Sequence, residues 1–213
     1  RMAILTEKPI AGTWKDVVAA YRAVRRARVK CTVIQNYRYN PSMYTFRSVL
    51  REQRLGRINY IMGKYMADYR HHGAWGAFRH EIPHSLLIEG AVHHFDMLRN
   101  LAGSPCVEIS GYEWNRPWSS FKGASNASYV MKMANGLIAH YEGSCSAAGK
   151  QNNWRHEYYR AECENGEVEV DEDGVVRTVV RNNKTGKITT REIKPRKPRY
   201  VGHEYVIDAH LKW

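Results

Sequence analysis

Three dipeptides set the tightest limit on what this chain can fold into. Asn135-Gly136, Asn165-Gly166 and Asp173-Gly174 each separate two runs of strand-forming residues. Asn-Gly and Asp-Gly tolerate the positive φ angles of tight hairpin turns, so each pair of flanking runs reads as adjacent antiparallel strands. Around the first turn, Tyr129, Met131 and Met133 alternate on one side, and Leu137, Ala139 and Tyr141 on the other. A period of two puts these residues on one face of a sheet. An antiparallel meander is therefore expected over the second half of the chain.

The first 41 residues carry a different pattern. Residues 2–5 suit a short buried strand. Thr13 can cap a helix over 14–29 whose apolar stripe is Val17, Val18, Tyr21 and Val24. Residues 31–37, β-branched at their start, read as the next strand. Strand, helix and strand at this spacing form an α/β unit with a parallel sheet. Pro41 then introduces a helix over 42–53 closed by Gly56, followed by a strand over 58–69. The expectation is a parallel α/β piece over 1–41 joined to an α+β domain over 42–213.

The formal charge of +12 admits a polyanionic partner. The basic residues are nevertheless spread out, denser only over 22–30 and 194–199, and no nucleic-acid motif accompanies them. A solvated basic surface is the expectation, without a nucleic-acid partner. No apolar run reaches the ~18 residues of a membrane span, which argues against a membrane partner. Cys31, Cys106, Cys145 and Cys163 are far apart with no CxxC, which favours a reducing, cytoplasmic setting.

Residues 80–96, HEIPHSLLIEGAVHHFD, open on the zinc-protease pattern H-E-x-x-H. That pattern needs both histidines on one continuous helix, and Pro83 between them would cost a helix interior about 3 kcal/mol. No metal site is expected. A better helix starts after Ser85 as N-cap and runs to Leu101, with Gly103 beyond it. On it Ile88, Ala91, Val92, Phe95 and Leu98 form an apolar face. Glu89, His93, Asp96 and Asn100 form an adjoining polar one. Glu89 and His93, one turn apart, are expected to pair, the acid orienting the imidazole and favouring its charged form.

The chain starts at Arg1 with an apolar run directly behind it, and residues 204–213 read as a helix without a C-cap. Both ends look cut through secondary structure, so a piece of a longer chain is expected.

Three stretches together resemble one family. Thr6-Glu7-Lys8-Pro9 is similar to the Glu-Lys-Pro motif of the glucose–fructose oxidoreductase/inositol dehydrogenase (Gfo/Idh/MocA) family. Residues 35–41, QNYRYNP, resemble its aromatic-Arg-aromatic-x-Pro strand end. Glu89-Gly90-Ala91-Val92-His93 followed by Asp96 resembles its D-x-G-x-H-x-x-D helix, with Glu in place of Asp. Order and spacing match over essentially the whole chain. The resemblance makes residues 1–41 an α/β remnant of a Rossmann domain. Residues 42–213 become an α+β substrate-binding and oligomerisation domain with a large, mostly antiparallel open sheet.

The resemblance implies hydride transfer between NAD or NADP and a sugar or cyclitol. It makes Lys8, His93 and Glu89 the catalytic candidates, with His93 as base. Glu7, Lys8, Gln35 and Arg38 become cofactor-binding candidates, and Trp75, Arg79 and His94 substrate-binding ones. Pairing through the open sheet face into a homodimer or homotetramer is implied as well. The sequence has no G-x-G-x-x-G, the turn that seats a dinucleotide pyrophosphate on a helix end. That departure keeps a second reading open, a truncated relative serving as a dimeric, non-catalytic binding or scaffold protein.

Overall fold

The computed structural model describes residues 3–152 and 154–212; Met2 and Trp213, expected in the first strand and last helix, lie outside them. β1 (Ile4–Thr6) pairs in parallel with β2 (Cys31–Val33), and α1 (Trp14–Ala27) connects them. Thr13 caps α1 as expected, its hydroxyl accepting from the Asp16 amide. The helix stops at Ala27 because Arg28 turns left-handed at φ 50° and donates back to the Arg25 carbonyl. None of its side chains is fully buried: Val17, Val18 and Val24 are half-buried, and Tyr21 of the expected stripe is exposed.

β2 ends four residues short of the expected strand. Pro41 opens α2 (Pro41–Arg51), and Asn40 before it is held extended at φ −66°, ψ 141°. The chain reverses in a 3-10 turn over Asn36–Tyr39 to reach that point.

Eight strands form the second sheet: β3 (Ile58–Met66), β4 (Cys106–Trp114), β5 (Asn126–Met133), β6 (Ile138–Ser144), β7 (Tyr158–Cys163), β8 (Gly166–Val170), β9 (Val176–Arg181) and β10 (Ile188–Glu192). Their spatial order is β10-β9-β8-β7-β3-β6-β5-β4, and only β3 with β6 runs parallel. The three predicted hairpins are present: β5–β6, β7–β8 and β8–β9. Gly136 and Gly174 take positive φ at their turns.

One face of this sheet is covered by α2 and by the helical segment over 86–102. Met43, Phe46, Val49 and Leu50 of α2 and Met97, Leu98 and Leu101 beyond it pack on Ile61, Tyr65, Tyr141, Tyr159, Val168 and Val170. Each such side chain contributes about 1.5–3 kcal/mol by leaving water. Gly63 on β3 allows the close fit, since a Cβ there would stand 2.7 Å from the Tyr159 ring. α5 (His203–Lys212) returns to the first strands: His210 Nδ1 lies 2.8 Å from Thr32 Oγ1, and Tyr205 stacks on Tyr39 at 3.8 Å. Among the described residues no helix is long and apolar enough to cross a membrane.

The 80–102 segment departs from its expected single helix. α3 (Phe78–Glu81) stops before Pro83, so His80 and His84 share no helix and bond elsewhere, His80 to the Ala74 carbonyl and Ser120 and His84 to Glu113. Ser85 is already helical, and its hydroxyl donates to the Arg79 carbonyl instead of capping. A π-helical turn, Leu86–Ala91, precedes α4 (Val92–Ala102), which ends at Gly103 with φ 64° as expected. His94, Met97, Leu98 and Leu101 form the buried side of α4, whereas Ile88, Val92 and Phe95 of the expected apolar face are only half-buried.

Candidate active site

Two cavities open between the β1–β2 unit and the π turn. The larger, about 930 Å³, is lined by Lys8, Pro9, Thr32, Val33, Gln35, Arg38, Ile88, Val92, Asp96 and residues of α1 and α5. The smaller, about 550 Å³, is lined by Lys8, Tyr37, Trp75, Arg79, Glu89, His93, Trp154, Arg155 and His156. Among the described residues Lys8 alone lines both. The candidate residues divide between them, Gln35 and Arg38 facing the larger and Trp75, Arg79, Glu89 and His93 the smaller.

The ends of β1 and β2 set the boundary. Lys8, two residues beyond β1, donates from Nζ to the Glu89 backbone carbonyl at 2.6 Å. Burial lowers its pKa below 10.5, with the Glu89 charge opposing that shift. The 3-10 turn after β2 lays the Tyr37 ring flat on His93, centroids 4.1 Å apart and planes 1° from parallel. His93 Nδ1 lies 3.1 Å from Gln35 Oε1. With that oxygen accepting, Nδ1 carries the proton and Nε2 presents its lone pair. His93 is buried, and its pKa falls from 6.5 to about 3, first through burial and then through the positive charge of Lys8, with smaller electrostatic contributions from His94, His203 and Arg155.

These contacts correct the expected Glu89–His93 pair. The Glu89 carboxylate accepts from Arg79 instead, at 2.9 Å from Nη2 and 3.2 Å from Nε. The ring is oriented by Gln35 and Tyr37, and its neutral form is the favoured one. The π turn supplies the reason, because its i to i+5 bonding displaces Glu89 from the place a continuous α-helix gives it. Arg79 also donates to the Trp75 carbonyl at 2.7 Å and lies over the Trp75 ring at 4.7 Å. Trp75 adopts φ 64°, an unusual backbone for a residue with a Cβ, and stacks on Trp154 at 5.3 Å.

Two candidates fall outside both cavities. Glu7 is exposed beside His203 at 3.8 Å. His94, expected to touch substrate, is turned into the core, with Nδ1 2.8 Å from the Tyr141 hydroxyl and Nε2 3.4 Å from Glu157 Oε1. Neighbouring residues on a helix point about 100° apart, so His93 at the cavity places His94 against the sheet. Arg38 reaches the larger cavity but is held bidentately by Asp96. Tyr37, Trp154, Arg155 and His156 are lining residues that the sequence did not single out. Tyr37 stood within the quoted 35–41 stretch; the other three lie on a loop before β7 with no local motif.

Comparison with known proteins adds to this geometry. Residues 43–169 match the family model described as the GFO/IDH/MocA C-terminal domain. The chain belongs to the GFO/IDH/MocA family. An uncharacterized protein, y4oX, of Sinorhizobium fredii is 39% identical over 170 residues, which are 80% of this chain and 47% of that protein. Levoglucosan dehydrogenase of Pseudarthrobacter phenanthrenivorans is 30% identical over 104 residues, 47% of this chain and 27% of that enzyme. A solved levoglucosan dehydrogenase in complex with NADH and L-sorbose superposes with a TM-score of 0.76 at 20% identity, covering 98% of this chain and 62% of that one. This GFO/IDH/MocA chain thus spans at most about half the length of these curated relatives. Its large mixed sheet with one helical face is the architecture of its structural neighbours.

Proposed function

We propose that this chain is part of an NAD(P)-dependent oxidoreductase that moves hydride between a nicotinamide cofactor and a sugar or cyclitol. The observation that carries the reading is the place of Lys8, where a large cavity beside β1 and β2 meets a smaller one holding His93. The relatives' names and the NADH complex of a structural neighbour support the same reaction class.

In this reading residues 1–41 close a dinucleotide-binding domain and residues 42–213 form the substrate domain. Lys8 and Gln35 fit the nicotinamide end of a cofactor in the larger cavity, one offering a cation and the other an amide. The sequence supplies no glycine-rich turn for the pyrophosphate, so that half of the site has to come from residues beyond these 213. A nicotinamide supplies the hydride acceptor or donor. His93 takes the substrate hydroxyl proton at Nε2, and the Lys8 ammonium stabilises alkoxide character on the same oxygen. Arg79 and Trp75 offer a donor fork and an aromatic face to a polyol. Self-association through the open sheet face belongs to the same proposal.

The test is hydride transfer by the full-length protein, followed as nicotinamide absorbance. His93→Ala is expected to slow it by about 10²–10⁴-fold with little change in cofactor affinity. Near-normal turnover in that variant would refute the assignment of His93 as the base.

A further inference from the structure

The smaller cavity is more cationic than alcohol oxidation requires. Lys8, Arg79 and Arg155 line it against one carboxylate, Glu89. Lys8 and Arg79 each already donate to Glu89, to its backbone carbonyl and its carboxylate respectively. The Arg155 guanidinium forms no ion pair with a described carboxylate; at the exposed cavity wall its side chain meets the Tyr37 hydroxyl, a neutral partner. The acid nearest in sequence, Glu157, is 3% exposed and faces inward, bonded to His94.

Arg155 is also held in place. Its backbone sits at φ 71°, rarely adopted by a residue with a Cβ, and its N–H donates to Glu157 Oε1 at 2.9 Å. On one side Trp154 stacks on Tyr65 at 4.1 Å; on the other, His156 Nδ1 lies 3.0 Å from the Glu172 carbonyl. Lys8 and Arg155 both disfavour the protonated form of His93, so their charges reach the middle of the cavity.

We propose that the substrate of this cavity is a sugar acid, and that Arg155 recognises its carboxylate. This rests on reading the smaller cavity as the substrate site. A planar guanidinium offers two parallel donors to a carboxylate, a charge-assisted pairing that a neutral sugar cannot make. The overall charge of +12 favours the approach of an anion as well.

The experiment is calorimetric titration of the full-length protein with D-glucuronate, D-galacturonate and D-gluconate, each beside D-glucose and D-galactose. At least one acid is expected to bind about tenfold or more tightly than its neutral counterpart. Arg155→Gln should collapse that ratio, and Arg155→Lys, which keeps charge but loses the fork, should retain part of it. Failure of every acid in the panel to outbind its neutral counterpart overturns the inference. So does a ratio that survives Arg155→Gln, or, should that variant not fold, one that survives unchanged in Arg155→Lys. Nicotinamide reduction is read separately in the same protein. Its absence would count against the dehydrogenase reading, while the binding ratio still decides the identity of the ligand.

Discussion

The buried imidazole of His93 should make the chain's stability depend on pH in a way one substitution can isolate. Its pKa is about 3 in the fold and 6.5 for an ordinary histidine. Above about pH 6.5 both the folded and the unfolded ring are neutral, and stability is present in full. As pH falls below that value the unfolded ring takes up a proton that the folded ring refuses, and stability is lost progressively until about pH 3. Near pH 5 the unfolded imidazole is about thirtyfold more protonated than neutral, and RT times the logarithm of that ratio is ~2 kcal/mol. Urea unfolding of the wild type and His93→Gln at about pH 7.5 and pH 5 measures this directly. Histidines common to both proteins cancel in the comparison. The wild type should lose ~2 kcal/mol more than the variant over that interval. Equal losses in the two proteins would refute a desolvated, neutral His93.

Two further predictions concern its neighbours. Burial places the Lys8 pKa below 10.5, and the ammonium is the form that stabilises an alkoxide, so hydride transfer by the full-length protein should fall on the alkaline side as pH rises through that lowered value. A rate that stays level through pH 10.5 would remove Lys8 from that role. Arg79→Ala leaves the Glu89 carboxylate, 14% exposed, without its partner. The expected loss in urea unfolding is about 1–3 kcal/mol, with partial recovery in the Arg79→Ala, Glu89→Gln double variant. A double variant no more stable than the single one would show that the pair is not coupled.

What could be read from the sequence was written in short-range chemistry. Asn135-Gly136 and Asp173-Gly174 demand positive φ whatever surrounds them, and both close the hairpins expected of them. Thr13 and Gly103 bound their helices for the same local reason. Errors came where distant packing decided the backbone. Gly90 falls inside the helix expected over 86–101, yet it lies under the Trp154 ring, where a Cβ would approach to 2.7 Å. The π turn around it redirects Glu89 from His93 to Arg79, and no 100° periodicity can display that. β2 was overextended because β-branched residues at its start say nothing about the reversal that Pro41 imposes further on.

The paired histidines of α4 join what was legible to what was not. The motif around His93 implied a base at that position, and its neighbour was expected to serve the same cavity. The helix geometry forbids that, since the two side chains leave about 100° apart. His94 instead meets Tyr141 on the sheet and Glu157, whose carboxylate holds the Arg155 amide. The helix that presents His93 thereby also anchors another wall of the cavity, Trp154 through His156. A buried polar group without a partner costs about 1–3 kcal/mol, so these three side chains constrain one another's placement. His93 on α4 and the Arg155 wall on the loop before β7 are then tied together through their chain neighbours His94 and Glu157, so a change at either neighbour should be felt on both sides of the cavity.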